Sequence, residues 1–166
     1  MGVGVGVGVG VGVGVGVGVG VGVGVGVINK LKRRAVMESW RKVWREGIAS
    51  LLSTQSLLAL KEALDKDDPA LIQGATITPP PLQCVQDWPV EAACPIAYAG
   101  WQDGEGRDVV ADVEEFFARV CFECDQLMEE PAACRHFLCW WDNTPRNKAR
   151  LALLEEVNKR LEELPT

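Results

Sequence analysis

Residues 109–128 read VVADVEEFFARVCFECDQLM, with apolar side chains at steps of three and four. Because an α-helix completes a turn every 3.6 residues, this spacing collects the apolar side chains on one face and the charged ones on the other. The stretch therefore predicts one long amphipathic helix. Its apolar face would consist of Val109, Val110, Val113, Phe116, Phe117, Val120, Cys121, Cys124, Leu127 and Met128.

Helical spacing continues on both sides of this stretch. Upstream it predicts a helix over residues 37–52 and a second helix that Ser53 or Thr54 would cap, because both residue types are favoured at helix N-termini. Downstream it predicts helices over residues 131–141 and 145–164, each of which begins with proline. Four further helices therefore accompany the long one.

Two shorter helices are predicted from their start signals alone. Asp68-Pro69 and Asp87-Trp88-Pro89 both place an aspartate, a common N-cap, just before a proline that suits the first helical position. No segment after Met37 shows the apolar–polar alternation of a strand flanked by hairpin turns. The expected fold class is all-α, a single small domain of about six helices.

The N-terminus differs in kind from the rest of the chain. Residues 2–27 are 13 Gly-Val pairs without a charge, and residues 28–36 form a short basic linker. A repeat of this kind cannot build a packed core, because half of its residues have no side chain. We expect the functional protein to be residues 37–166, an acidic all-helical domain.

The repeat also leaves a membrane alternative open. It is long enough to span a bilayer, and the basic residues Lys30, Lys32, Arg33 and Arg34 follow it as they would follow an anchor. Its glycines oppose helix formation by about 1 kcal/mol each. The sequence therefore favours a cytoplasmic protein, and the alternative is a membrane-anchored domain that faces the cytoplasm.

Charge narrows the range of partners. The whole chain carries 23 acidic and 17 basic residues, and four of the basic residues lie in the 28–36 linker. An excess of carboxylates repels the phosphates of nucleic acids, so we expect no nucleic-acid partner.

Cysteines provide the one motif with metal-ligand character. Cys121 and Cys124 form a C-x-x-C pair, and Cys134 and Cys139 follow closely with His136 between them. Thiolates and imidazole are the usual ligands of zinc, and four thiolates hold iron–sulfur clusters. However, Cys121 and Cys124 also lie on the apolar face of the long helix, where a free cysteine packs as a small apolar residue. Core packing is thus favoured, with a metal site and disulfide or redox chemistry as alternatives.

Tryptophans are the candidate contact residues. The chain has six tryptophans but one tyrosine. Trp88 and Trp101 lie near predicted loops, and Trp140 and Trp141 precede a turn that leads to Arg146. Tryptophan and arginine are enriched where proteins bind one another. Since adjacent residues on a helix point in different directions, we expect one of Trp140 and Trp141 to pack inward and the other to lie near the surface. The alternative is that both cover the core at a helix end.

The sequence favours a non-enzymatic role. It contains no phosphate-binding loop, no nucleophile elbow and no H-E-x-x-H motif, and His136 is its only histidine. The function expected is that of a small acidic helical module that acts through contacts with an unknown protein partner and needs no cofactor. A cysteine-ligated zinc or iron–sulfur protein is the alternative from a different class.

Overall fold

The computed structural model describes residues 39–76 and 88–165. The predictions for the Gly-Val repeat, for the basic linker and for a helix start at Asp87 therefore lie outside the described residues. Within the described ranges the fold is all-α, as the spacing predicts, and it consists of six helices. These are α1 (residues 39–51), α2 (Thr54–Lys66), α3 (Pro95–Trp101), α4 (Val110–Leu127), α5 (Cys134–Asn143) and α6 (Arg146–Glu163).

Helix α1 lies at the centre of the domain and contacts α4, α5 and α6. Its middle, Val43–Ile48, is wound as a π-helix, and Ala49–Leu51 complete it as an α-helix. Trp40, Val43 and Trp44 on this helix are buried. The predicted helix is thus confirmed, although the sequence pattern does not reveal the wider winding at its centre.

Helix α4 confirms the long amphipathic helix. Val113, Phe116, Val120 and Cys124 are buried at the predicted steps of three and four. Leu127, in the last turn, is 55% exposed, so the buried face is shorter than the predicted one. The helix packs against both α1 and α3.

Helices α2 and α6 pack against each other along their apolar faces. Helix α2 begins as the sequence predicts, with the Ser56 backbone N–H donating a 3.0 Å hydrogen bond to Ser53 Oγ. Helix α6 begins after Pro145, and Lys159 Nζ donates to Glu155 Oε1 over 2.6 Å, one turn apart. Both helices thus follow their local signals.

The prediction of a short helix that begins at Asp68-Pro69 is wrong. The Asp68 carboxylate accepts a 2.8 Å hydrogen bond from the Ala70 N–H and closes a turn. The chain then pairs with a distant segment, since the Ile72 N–H donates to the Ala93 carbonyl over 2.9 Å. Asp68 therefore forms a turn that changes the direction of the chain, and it does not cap a helix.

The prediction of a second short helix, which would begin at Asp87-Trp88-Pro89, is also wrong for the residues that the structure describes. Residues 88–94 are not helical, and the Val110 N–H donates to the Trp88 carbonyl over 2.7 Å. Pro95 begins helix α3 instead of ending an earlier one. Two isolated β-bridges, Leu71 with Ala93 and Pro89 with Val109, tie these segments together.

Every helix within residues 39–76 and 88–165 is too short or too polar to cross a bilayer.

Candidate functional site

The tryptophan pair of α5 lies in the core. Trp140 is 5% exposed and stacks on Trp40, with ring centroids 3.4 Å apart and planes 6° from parallel. Trp141 is 1% exposed, and its Nε1–H donates a 2.8 Å hydrogen bond to the Ile72 carbonyl. Of the two alternatives, that of a ring near the surface is therefore wrong and that of two rings that cover the core is confirmed, because α5 is covered on both sides, by α1 and by the segment around Ile72. Neither side chain presents a surface to a partner in this conformation.

The other two candidate tryptophans are partly exposed. Trp101, at the end of α3, meets Tyr98 edge-on with ring centroids 5.8 Å apart. Trp88 precedes the bridge between Pro89 and Val109. These two rings do not form one patch with the buried pair, so the structure divides the predicted contact residues into two groups.

Arg146 holds parts of the fold together. Its guanidinium donates to the carbonyls of Leu71 and Asp68, over 2.7 and 3.0 Å, and to the Asp67 carboxylate over 3.1 Å. It therefore joins the start of α6 to the chain that leaves α2. Both carbonyls lie beyond the last residue of α2, so Arg146 stabilises the turn that follows this helix.

Three of the predicted metal ligands come together between α4 and α5. Cys134 Sγ donates to Cys121 Sγ over 3.0 Å, and Cys134 is also hydrogen-bonded to Cys124. We call Cys121, Cys124 and Cys134 the thiol cluster. The hydrogen bonds to Cys121 and Cys124, together with burial, raise the pKa of Cys134. The hydrogen bond with Cys134 lowers the pKa of Cys124.

The other two predicted ligands take no part in the thiol cluster. Cys139 is exposed further along α5, and its carbonyl accepts a hydrogen bond from the Asn143 amide. His136 Nε2 lies 3.0 Å from the Glu130 carboxylate. In the described part of the chain, no group of three or more His, Cys, Asp or Glu side chains has the arrangement of a metal site.

A second concentration of charge surrounds Glu156 on α6. Its carboxylate is fully buried and accepts hydrogen bonds from Arg45, with Nε to Oε2 at 2.5 Å and Nη2 to Oε1 at 2.7 Å. Arg41 Nε and Lys159 Nζ lie 3.2 and 3.4 Å from the same carboxylate. Burial opposes ionisation of Glu156, but the hydrogen bond and charge of Arg45, with Lys159, outweigh it and lower its pKa.

This charge cluster forms one wall of a cleft between α1 and α6. The cleft has a volume of about 340 Å³ and is lined by Trp44, Arg45, Glu156, Lys159, Arg160 and Glu163. We call it the α1–α6 cleft. Three cations and two carboxylates thus line the cleft around one buried indole.

Two nitrogen donors in the α1–α6 cleft have no acceptor among the residues that the structure describes. They are Trp44 Nε1 and Arg160 Nε, both inaccessible to solvent. A buried N–H without an acceptor costs about 1–3 kcal/mol. Buried donors in native proteins usually have a partner. The cleft is therefore rich in unused hydrogen-bond donors.

The sequence contains a signal for the cleft that its apolar pattern hides. Glu156 follows Leu153 by three residues and precedes Val157, so it lies on the apolar face of α6. A buried carboxylate at such a position needs cationic partners that donate hydrogen bonds to it. Arg41 and Arg45, one turn apart on α1, are those partners.

Comparison with known proteins adds no relative: no family model, curated protein or solved structure matches this chain.

Proposed function

We propose that the domain is a non-enzymatic binding module that contacts a protein partner through the α1–α6 cleft. The cleft would receive an acidic side chain of that partner. The single observation that carries the proposal is the set of cations, Arg45, Lys159 and Arg160, that lines a cleft of about 340 Å³.

The hydrogen-bond inventory of the cleft specifies the chemistry of the ligand. Indole and guanidinium groups only donate hydrogen bonds, so Trp44 and Arg160 both require an acceptor. The carboxylates of Glu156 and Glu163 are already paired, with Arg45 and with Arg160. An incoming carboxylate would supply acceptors to these two donors once the side chains that cover them moved aside.

Charge supports the same class of partner. Arg45, Lys159 and Arg160 line the cleft, whereas acidic residues outnumber basic ones in the chain as a whole. An acidic group would be repelled by most of the surface and attracted at this position. Such an arrangement favours one docking geometry over others, because charge complementarity contributes to specificity more than to affinity.

A short oligoglutamate peptide tests the proposal, with oligoglutamine at equal ionic strength as the uncharged comparison. The readout is the indole N–H resonances of ¹⁵N-labelled protein during titration. We expect oligoglutamate to shift the Trp44 resonance and oligoglutamine to leave it in place. The Trp44→Phe variant keeps an aromatic ring but replaces the indole and so removes the donor, and its affinity should fall about tenfold, as expected for one hydrogen bond to a charged group.

Two control variants separate the cleft from the rest of the surface. Trp101→Phe changes a partly exposed ring outside the cleft, and Lys148→Gln removes an exposed positive charge from α6. Both should bind oligoglutamate as the wild type does. Equal affinity of Trp44→Phe and wild type, or equal binding of the two peptides, would show the proposal to be wrong.

A further inference from the structure

We propose that Cys121 and Cys134 are a peroxide-sensitive thiol pair, and that a hydroperoxide converts them into an internal disulfide that joins α4 to α5. This site is separate from the α1–α6 cleft, and the proposal does not depend on the binding function.

The two sulfur atoms are close before any oxidation. Cys134 Sγ lies 3.0 Å from Cys121 Sγ, although the residues are 13 positions apart on two helices. The two thiols do not meet by chance at the surface. Cys134 is 3% exposed, so packing between α4 and α5 holds its thiol in place. A disulfide forms only where the chain already brings two cysteines close, because its geometry tolerates little displacement.

The backbone around Cys134 is anchored to the same helix as Cys121. The Asp125 carboxylate of α4 accepts a 2.9 Å hydrogen bond from the Cys134 N–H and a 2.8 Å one from the Ala132 N–H. These bonds fix the first turn of α5 against α4. The approach of the two thiols is therefore part of the fold.

Access distinguishes the roles of the two cysteines. Cys121 is partly exposed, whereas Cys134 and Cys124 are buried. A small oxidant would therefore meet Cys121 first. The Cys134 S–H donates its hydrogen bond to Cys121 Sγ, so the buried sulfur already faces the partly exposed one.

The chemistry balances in two steps. The Cys121 thiolate attacks one oxygen of hydrogen peroxide, the O–O bond breaks, and a sulfenic acid and hydroxide form. The hydroxide takes up the proton that Cys121 released on ionising and becomes water. Cys134 sulfur then attacks the sulfenic sulfur, an S–S bond forms, and the sulfenic oxygen leaves as water with the thiol proton. Two thiols lose two electrons in total, and one peroxide is reduced to two waters.

The third cysteine of the thiol cluster is not expected to take part. Cys124 is 0% exposed, and its Sγ packs against Gly47 of α1. The sequence pairs Cys121 with Cys124 as a C-x-x-C motif, but the fold presents Cys134 to Cys121 instead. The proposal thus replaces the pairing that the motif indicates.

Peptide mapping by mass spectrometry tests the proposal on the full chain. The protein is treated with hydrogen peroxide, free thiols are alkylated, and the digest is analysed without reductant. We expect one linked pair of peptides, containing Cys121 and Cys134, in a monomer that has lost two hydrogen atoms. Reductant should restore both thiols.

Variants and competing products complete the test. Cys121→Ser and Cys134→Ser should each abolish the link, while Cys139→Ser, which changes an exposed cysteine on the same helix as Cys134, should leave it intact. The wild-type map decides the question even if a variant fails to fold. A link between Cys121 and Cys124, oxidation that stops at sulfinic acid, or thiols held by stoichiometric zinc would overturn the proposal.

Discussion

Gly47 of α1 lies directly against the thiol of Cys124 on α4, so that a Cβ on residue 47 would meet Cys124 Sγ at 2.5 Å. Both residues are buried. The sequence pattern suggests a glycine that merely weakens a helix, but the structure shows a glycine that lets two helices approach.

Gly47→Ala should therefore destabilise the domain. Alanine favours a helix by about 1 kcal/mol over glycine. Overpacking against Cys124 costs about 1–3 kcal/mol, so we expect a net loss of about 1 kcal/mol in the free energy of unfolding. Urea denaturation followed by circular dichroism measures this loss.

The partner variant Cys124→Ala provides the matched control, because it removes the sulfur that the new methyl group would meet. The double variant should lose less stability than the sum of the two single losses, since the added Cβ occupies the space that the sulfur vacates. Strict additivity would mean that the two residues do not constrain each other.

Glu156 should make stability depend on pH in the acidic range. Its pKa is lowered in the folded protein, so its contribution is present in full above the ordinary carboxyl value of 4.5 and is lost as the pH falls through the lowered pKa. At pH 7, Glu156→Gln should cost about 2 kcal/mol, because Arg45 is half-exposed and water replaces part of the lost bond. Denaturation curves at a series of pH values from neutral to acidic measure both effects.

The neighbouring Glu155→Gln is the control for this prediction. Glu155 is 55% exposed and pairs with Lys159, so its replacement should change stability little at pH 7. If Glu156→Gln kept the wild-type loss of stability on acidification, the buried ion pair with Arg45 would not be its source.

Helix formation here follows local sequence wherever the segment has an apolar face of helical spacing. Ser53 caps α2, and residues 110–127 and 146–163 are helical, as their spacing predicts. The prediction at Asp68-Pro69 is wrong because only the cap signal is present there, and hydrogen bonds to a distant segment outweigh it. Local signals without an apolar face do not determine helices in this chain.

The candidate site was less accessible to sequence reasoning. Arg45 and Glu156 are 111 positions apart, and each belongs to a helix whose own pattern can be interpreted without the other. The sequence singles out Cys121, Cys124 and Cys134 together, but it does not reveal that Cys134 Sγ lies 3.0 Å from Cys121 Sγ. Contacts of this kind depend on how helices pack, which the periodicity of one segment does not specify.

Arg146 illustrates the same limit and yields a prediction. Arg146→Ala should lower the free energy of unfolding by about 2 kcal/mol, because the Leu71 carbonyl loses its donor and the Asp68 carbonyl and Asp67 carboxylate each lose one hydrogen bond. Arg146→Lys should restore only part of the loss, since one ammonium group cannot reproduce the planar guanidinium geometry. Thermal denaturation compares these variants with Lys148→Ala, which changes an exposed residue on the same helix. A stable Arg146→Ala protein would favour the contact role predicted from sequence.

Oxidation of Cys121 and Cys134 should stabilise the domain, because a disulfide restricts the unfolded chain. For a closed loop of roughly 15 residues the expected gain is about 3 kcal/mol. Urea denaturation of the oxidised and the reduced protein measures the difference, and added reductant should abolish it. Cys139→Ser should show the same gain on oxidation, and Cys134→Ser should show none. An oxidised protein that is less stable than the reduced one would mean that the disulfide distorts the contact between α4 and α5. Packing would then hold the two thiols in an arrangement that a disulfide cannot adopt.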